Sequence, residues 1–285
     1  MKAPVIKINS ENNDFQYIET LRRNRTKRHK SKEFFVEGVR SINQAIKNGW
    51  KINALIYTRE KRLSDWADNI VETLETQRHF DLSLSLMEKL SEKDDTSELI
   101  ALVAIPQDHL SRISECKDLL VVVLDRLGSP GNLGTIIRSC DALGVNGLIM
   151  TGHSADLYAP ETIRATAGSF FAIPVIRLPS HNDLLPWLKD LKKRFNELQI
   201  VGTSSNAVLQ VQNHDYKAPT VLLIGNENHG LSANYKSLSD FMVKIPMFGS
   251  ASSLNVACAT SILLYEISRQ RNKPGFSGQS NGVYL

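Results

Sequence analysis

Three short segments of this chain bring together residue types that could act on a ligand. In LDRLGSPGNLGTIIRSCDALG, a turn carrying Gly128, Pro130 and Gly131 precedes Asn132, and Arg138 follows about two helical turns further on. In LLIGNENHGLS, Gly225 closes an apolar run and Glu227 stands in a loop bounded by Gly230. In IPMFGSASSLNVACATSILLYEISRQR, residues Gly249, Ser250, Ser252, Ser253 and Asn255 crowd one strand-to-helix junction. Each segment alone has a plain reading. Ser, Asn and Glu at helix starts satisfy the unpaired N–H groups of a first turn, and a surface Arg needs no further role. The chemical reading is that amides, a carboxylate and a guanidinium converge on one polar ligand. Each segment follows or contains the end of an apolar run, and ligands of open α/β sheets sit beyond the carboxyl ends of the strands. No metal-ligand spacing accompanies them. Cys116, Cys140 and Cys258 lie far apart and form no C-x-x-C pair, which reads as free thiols of a cytoplasmic protein.

The elements that would position these residues alternate. DLLVVVLDRL is a near-continuous apolar run, the pattern of a strand buried on both faces. GLIMTG, AIPVIRL, QIVGTSS and TVLLIGNE repeat the pattern, with helical stretches such as NLGTIIRSCDALG and DLLPWLKDLKKRFNE between them. Strand–helix alternation predicts a parallel sheet covered by helices. Upstream, EFFVEGVRSINQAIKNGWKINALIYT reads strand, helix, strand, with Gly49 ending the helix. LSDWADNIVETLE and LMEKLSEKD read as helices, HFDLSLS and ELIALVAIP as strands. This makes a small α/β domain over residues 1–112, a linker around PQDHLSRISECKD, and a second α/β domain over 118–285 ending in a Gly-, Ser- and Asn-rich tail. No apolar run approaches the ~20 residues that cross a bilayer, and no membrane association is expected.

Charge is unevenly placed. Residues 1–32 carry nine Lys and Arg against three Asp and Glu, whereas the whole chain has a net charge of +4, so the other 253 residues sum to −2. The run RRNRTKRHKSK reads either as a solvated basic arm or as a segment contacting RNA phosphates through Arg22, Arg23, Arg25, Lys27, Arg28 and Lys30.

Taken together and in this order, the segments resemble the SpoU or TrmH class of the SPOUT superfamily, S-adenosylmethionine-dependent RNA ribose 2′-O-methyltransferases. The likeness rests on Asn132-Leu-Gly-Thr-Ile-Ile-Arg138, on Gly225-Asn-Glu227 with Gly230-Leu-Ser232, and on Ile245-Pro-Met247, Ser253-Leu-Asn255 and Arg269-Gln270. The intervening IRATAGSFFAIPVIRL also fits, and FFVEGVR carries a looser likeness to the family's substrate-binding domain. The resemblance implies a C-terminal parallel-sheet α/β domain with a deep trefoil knot, preceded by a small α/β RNA-binding domain, and a homodimer whose active site uses both subunits. It further implies that Thr203, Gly225, Ile245, Met247, Gly249 and Leu254 hold the cofactor. Arg138 would orient ribose and phosphate, and Asn132, Glu227, Ser253 and Asn255 would complete the catalytic shell. No metal is called for. Ribosomal RNA is the expected substrate; a transfer-RNA methyltransferase, or an RNA-binding assembly factor without catalysis, are the alternatives. Asn228-His229 departs from the family's usual pair at that point and reads as a surface loop. A Rossmann dehydrogenase is disfavoured, because no G-x-G-x-x-G follows the first strand.

Overall fold

The computed structural model describes residues 3–91 and 96–271; the Gly-rich tail expected after residue 272 lies outside them. The chain forms two compact units. One comprises the chain up to Gln107 together with Asp156–Ala172, the other Asp108–Ala155 together with the chain from Ile173 onward. The units are therefore not contiguous in sequence, as the proposed division into 1–112 and 118–285 would have them: seventeen residues of the second half fold with the first.

In the first unit β1 (Val5–Ile8) leads into α1 (Asn13–Arg23) and α2 (Arg25–Ser31), followed by β2 (Glu33–Glu37), α3 (Val39–Lys47), β3 (Ile52–Tyr57), α4 (Asp65–Thr73), β4 (Arg78–Leu82), α5 (Leu84–Leu90) and β5 (Leu99–Ala104). The strands pair in the order β1-β4-β3-β5-β2. The two ladders of β5 are antiparallel and the remaining two are parallel.

The basic run is not an arm. Asn12 and Asn24 cap α1 and α2, their side-chain oxygens accepting from the Phe15 and Lys27 amides at 3.0 Å. Phe15, Ile18 and Leu21 are fully buried against the sheet. Two of the run's cations are consumed inside the unit. Arg22 donates to the carbonyls of Lys89 and Leu90. Arg28 is 3% exposed, donates to the carbonyls of Leu21 and Arg22, and is ion-paired with Asp156. Arg28 therefore has no surface to offer a phosphate. The density of Lys and Arg hides, in the sequence, an apolar stripe at helical spacing.

The inserted segment has its own reason for folding with this unit. It carries the short α7 (Pro160–Ala165) and sets Tyr158, Phe170 and Phe171 among Phe34 and Trp50, with ring centroids 4.9–6.3 Å apart. The Trp50 indole donates to the Phe171 carbonyl at 2.9 Å. Five large aromatic side chains in mutual contact supply much of the burial that holds the segment there.

The second unit contains β6 (Leu120–Asp125), α6 (Pro130–Ala142), β7 (Gly147–Thr151), β8 (Val175–Leu178), α8 (Leu185–Arg194), β9 (Gln199–Thr203), β10 (Leu209–Gln210), β11 (Thr220–Ile224), α9 (Ala233–Leu238), β12 (Phe241–Lys244) and α10 (Val256–Gln270). The seven strands are all parallel, in the order β10-β12-β9-β11-β6-β7-β8. Every residue of β6, β7 and β11 is buried, as two-sided coverage by helices requires. The five apolar runs of the sequence are all strands here. The two-residue β10 is too short for periodicity to show, and β12 ends at Lys244, before Ile245-Pro-Met247 leave the sheet.

The last helix is fastened at both ends. At its start the Asn255 side-chain oxygen accepts from the Ala257 and Cys258 amides, at 2.8 and 3.3 Å. At its finish Gln270 accepts from the Tyr216 amide and donates to the His214 carbonyl. Arg271 donates to the carbonyls of Tyr216, Asp118 and Ala218 and to the Thr220 hydroxyl, at 2.6–2.9 Å. Along its length α10 packs on α6, where the Ser139 and Ser261 hydroxyls lie 2.8 Å apart. No helix among the described residues is long and apolar enough to cross a membrane.

Candidate active site beyond the strand ends

The carboxyl ends of β9, β11 and β12 open into a cavity of about 680 Å³. Its wall brings together three distant stretches of chain: Asn132 at the start of α6, the loop from Gly225 to Leu231, and the segment from Val243 through Ile245 and Met247 to Ser253, Leu254 and Asn255. Thr203 closes one side. Nine of the eleven expected catalytic and cofactor residues thus face one space: Asn132, Thr203, Gly225, Glu227, Ile245, Met247, Ser253, Leu254 and Asn255. Gly249 and Arg138 are not part of the wall. Gly249 is exposed with open space around it. Arg138 is exposed on the outer surface of α6. The mixed Gly, Ser and apolar residues of the 247–255 segment gave no sign of which turn inward, and Arg138 is a third of a turn away from Asn132 around the helix.

A single carboxylate organises the polar side of the cavity. Glu227 accepts from the Gly128 amide at 3.1 Å, the Ser129 amide at 3.2 Å, the Asn132 side chain at 3.2 Å and the Asn226 side chain at 3.4 Å. The Asn132 side-chain oxygen (Oδ1) in turn accepts from the Asn255 side-chain Nδ2 at 3.0 Å. Glu227, Asn132 and Asn255 therefore form one chain of hydrogen bonds. It runs from the loop after β11, through the first turn of α6, to the cap of α10. Burial alone would push the Glu227 carboxyl up; the hydrogen bonds from its own amide, Gly128, Asn132 and Ser129 outweigh it and hold the group below the usual carboxylate range. Such a carboxylate is a weak proton acceptor and a strong anchor.

The loop after β11 needs glycine at its root. A Cβ on Gly225 would lie 2.2 Å from the backbone of Gly230 and Leu231, because Asn226 and Gly230 exchange N–H···O bonds of 3.1 and 2.9 Å. Gly230 adopts φ +62°, which closes the turn. Asn226 also donates to the Arg126 carbonyl at 2.8 Å and accepts from the amides of Asn228 and His229. His229 is exposed, as a surface loop predicts, and it borders the cavity as well.

Asp125 and Arg126 support the site and were not singled out in the sequence. Asp125, 4% exposed at the end of β6, accepts from Arg126 at 2.8 and 3.1 Å and from the Ser232 amide at 2.8 Å. Its burial raises the carboxyl, but the guanidinium and the Ser232 bonds more than offset this and lower it. A charged pair directly after the run VVVL, at a strand's carboxyl end, is the signal that could have found it. Among the described residues no group of three or more His, Cys, Asp or Glu side chains is gathered as a metal site would need.

A family profile described as the SpoU rRNA Methylase family matches residues 119–265, and one described as a SpoU L30e-like domain matches residues 12–101. The chain belongs to the SpoU methylase family. Within that family it is 42% identical to the 23S rRNA (uridine(2479)-2′-O)-methyltransferase of Streptomyces viridochromogenes, over 93% of this chain and 92% of that one. It is 27% identical to the 23S rRNA (guanosine(2553)-2′-O)-methyltransferase RlmP of Bacillus subtilis, over 84% and 90%. The crystal structure of the SpoU methyltransferase AviRb from S. viridochromogenes in complex with AdoMet superposes with a TM-score of 0.87 at 42% identity, covering 92% of this chain and 99% of that one. An AdoMet-bound rRNA methyltransferase from Sinorhizobium meliloti gives 0.81 at 32% identity, covering 93% and 98%. This SpoU chain thus shares architecture along both of its units with relatives whose names specify methyl transfer to RNA.

Proposed function

We propose that this chain transfers the methyl group of S-adenosylmethionine to a ribose 2′-hydroxyl of structured RNA, specifically of large-subunit ribosomal RNA. The observation that carries this reading is the cavity itself, with all three family segments on one wall. Its volume lies within the ~300–1,000 Å³ of ligand pockets. Ile224, Val243, Ile245, Met247, Leu254 and Leu263 supply apolar surface, while the Gly225 and Glu227 loop supplies backbone groups and polarity. This combination suits a nucleoside joined to an amino acid, so the residues fit the cofactor. When bound, S-adenosylmethionine supplies an electrophilic sulfonium methyl.

The chain's own contribution is orientation. Thr203, Gly225, Ile245, Met247 and Leu254 form the cofactor wall in this reading. Glu227 locks Asn132, which locks Asn255, and both Asn side chains spend their groups on that lattice. These three hold the reacting groups in place, and the proton of the 2′-hydroxyl is released to solvent. Correct alignment of two reactants can supply ~7–11 kcal/mol of the barrier. Arg138 carries a planar fork of N–H donors and is turned to solvent from its own protomer's cavity. A homodimer in which α6 and α10 meet their copies would deliver Arg138 to the partner's cavity, there to orient phosphate and ribose. The exposed Ile262 and Tyr265 of α10 support such a contact. We further read the doubly fastened α10 as the element threaded through a trefoil knot, Arg23, Arg25, Lys27 and Lys30 as RNA contacts, and the cytoplasm as the site of action. Ser253 stands at the cavity mouth, where it can meet cofactor or ribose.

The test is to map ribose methylation in ribosomal and transfer RNA from cells with and without the protein, alongside methylation of both RNAs by purified protein. A protein-dependent 2′-O-methyl group in 23S RNA supports the proposal. Methylation confined to transfer RNA would overturn the substrate, and none in either would overturn the activity.

A further inference from the structure

Three exposed apolar side chains of the second unit, Met247, Phe248 and Leu254, lie on the segment that forms one wall of the cavity or directly beside it in sequence. Phe248 is 96% exposed, and the neighbouring wall residues Met247 and Leu254 are also exposed. Phe248 directly follows Met247 and is succeeded by Gly249-Ser250-Ala251-Ser252, all exposed, with nothing within 4 Å of a Cβ at Gly249. A ring left in water at this position forgoes the stabilisation that burial gives an aromatic side chain. The same cavity is bordered by Lys236, Lys244 and His229. An apolar ring next in sequence to the wall of a cavity that Lys236 and Lys244 border is the pairing that single-stranded nucleic acid requires, the ring to stack a base and the ammonium groups to meet phosphates. A ribose within a folded RNA becomes accessible to a cavity when its nucleotide leaves the stack, and bases so released are taken up on aromatic side chains.

We propose that Phe248 is the stacking platform for the base of the nucleotide whose ribose is methylated, with Lys236 and Lys244 facing its flanking phosphates. The inference rests on the methyltransferase reading above. Phe248 lies in the spacer between Ile245-Pro-Met247 and Ser253-Leu-Asn255 and is not among the residues that line the cavity, so its ring is available to RNA rather than engaged with the cofactor.

The test compares F248A, F248L and F248W with the wild type. The assay is single-turnover methylation of protein-free 23S RNA with labelled S-adenosylmethionine. Stacking predicts that F248A loses roughly 5- to 100-fold in kcat/KM, that F248L is similarly impaired despite its apolar bulk, and that F248W is restored. Cofactor affinity by calorimetry and oligomeric state by sedimentation stay unchanged, and RNA quenches the added Trp fluorescence of F248W. F248A or F248L at the wild-type rate would overturn the proposal. So would F248A falling to a smaller oligomer, which would make the ring a contact between copies. A wild type that methylates no RNA would instead remove the activity on which the inference rests.

Discussion

Each unit builds a carboxylate held by several donors, and the two have opposite accessibility. In the first unit Glu33, 5% exposed, accepts from the Tyr17 hydroxyl at 2.6 Å, the Asn53 side chain at 2.6 Å and Arg78 at 3.2 Å. In the second, Glu227 accepts from two amides and two Asn side chains but stands exposed at the mouth of a cavity. The donor counts are alike. What separates a structural carboxylate from a site carboxylate here is the company it keeps: Glu33 ties strands and a helix together, whereas Glu227 ties its loop to the start of α6 and, through Asn132, to the cap of α10 beside the cavity.

The sharpest way to break this contrast is to cut the units apart. A fragment beginning at Cys116 keeps Tyr158, Phe170 and Phe171, each at most 3% exposed, but loses the Phe34 and Trp50 they pack on. We expect it to aggregate where the full chain stays soluble, by light scattering at equal concentration; a monodisperse, cofactor-binding fragment would show that the aromatic cluster is dispensable. Next in size is Glu33→Ala. It strands the Tyr17 and Asn53 donors and leaves Arg78 to solvent, and each buried donor left without a partner costs about 1–3 kcal/mol. Urea unfolding should show that loss, while the protein that remains folded binds cofactor as the wild type does.

Glu227→Ala should do the reverse, with methyl transfer falling by ~10²-fold or more, as when a preorganised polar contact is removed, and a smaller loss in the unfolding midpoint than Glu33→Ala shows. Arg138→Ala should lose a similar factor in single-turnover methylation with cofactor affinity intact, and Arg138→Lys should rescue poorly because an ammonium lacks the planar fork of donors. If Arg138 serves the partner's cavity, mixing Arg138→Ala with Glu227→Ala protomers should restore measurable activity. No recovery in subunit-exchanged mixtures would place both residues in one protomer's site.

The smallest effect is on pH dependence. The Asp125 and Glu227 carboxyls lie below their ordinary values in the folded chain. The stability they confer is complete above the unfolded-state pKa, about 4, and is lost as pH falls through the lowered native value. Asp125→Asn should therefore lose stability at neutral pH and show a shallower decline on acidification. Glu227→Gln should do the same to a lesser degree because its carboxylate is solvent-screened. Urea midpoints measured from neutral pH down to about pH 3 would check both; parallel curves for variant and wild type would refute the assignment.

The five buried strands of the second unit were legible because apolar runs bounded by Gly and polar residues have few other readings. Their end residues pointed to the site for the same reason. Asn12 and Asn24 could have been read as caps, but the dense Lys and Arg after them imitates a solvated tail, and β1 at a sheet edge is too short to stand out. The inserted segment was invisible because its partners, Phe34 and Trp50, lie more than a hundred residues upstream, and no local periodicity encodes a contact at that range. Asp125 was passed over because the adjacent Arg126 makes it read as one half of an ordinary surface ion pair, and its burial shows only in the tertiary structure. The division of labour between wall and outer surface, which separates Asn132 from Arg138 on one helix, depends on how α6 is rotated against its neighbours and so required the tertiary structure.

The fastening of α10 at both ends has a kinetic consequence. Most helices fray from their termini, and their end amides exchange with solvent through small local openings. Here the cap at Asn255 and the Gln270–Arg271 clamp leave neither end free to begin that process. The amides of this helix should then exchange with deuterium only when the whole unit opens. The cavity wall that begins at Asn255 would keep its shape on timescales far longer than a catalytic turnover.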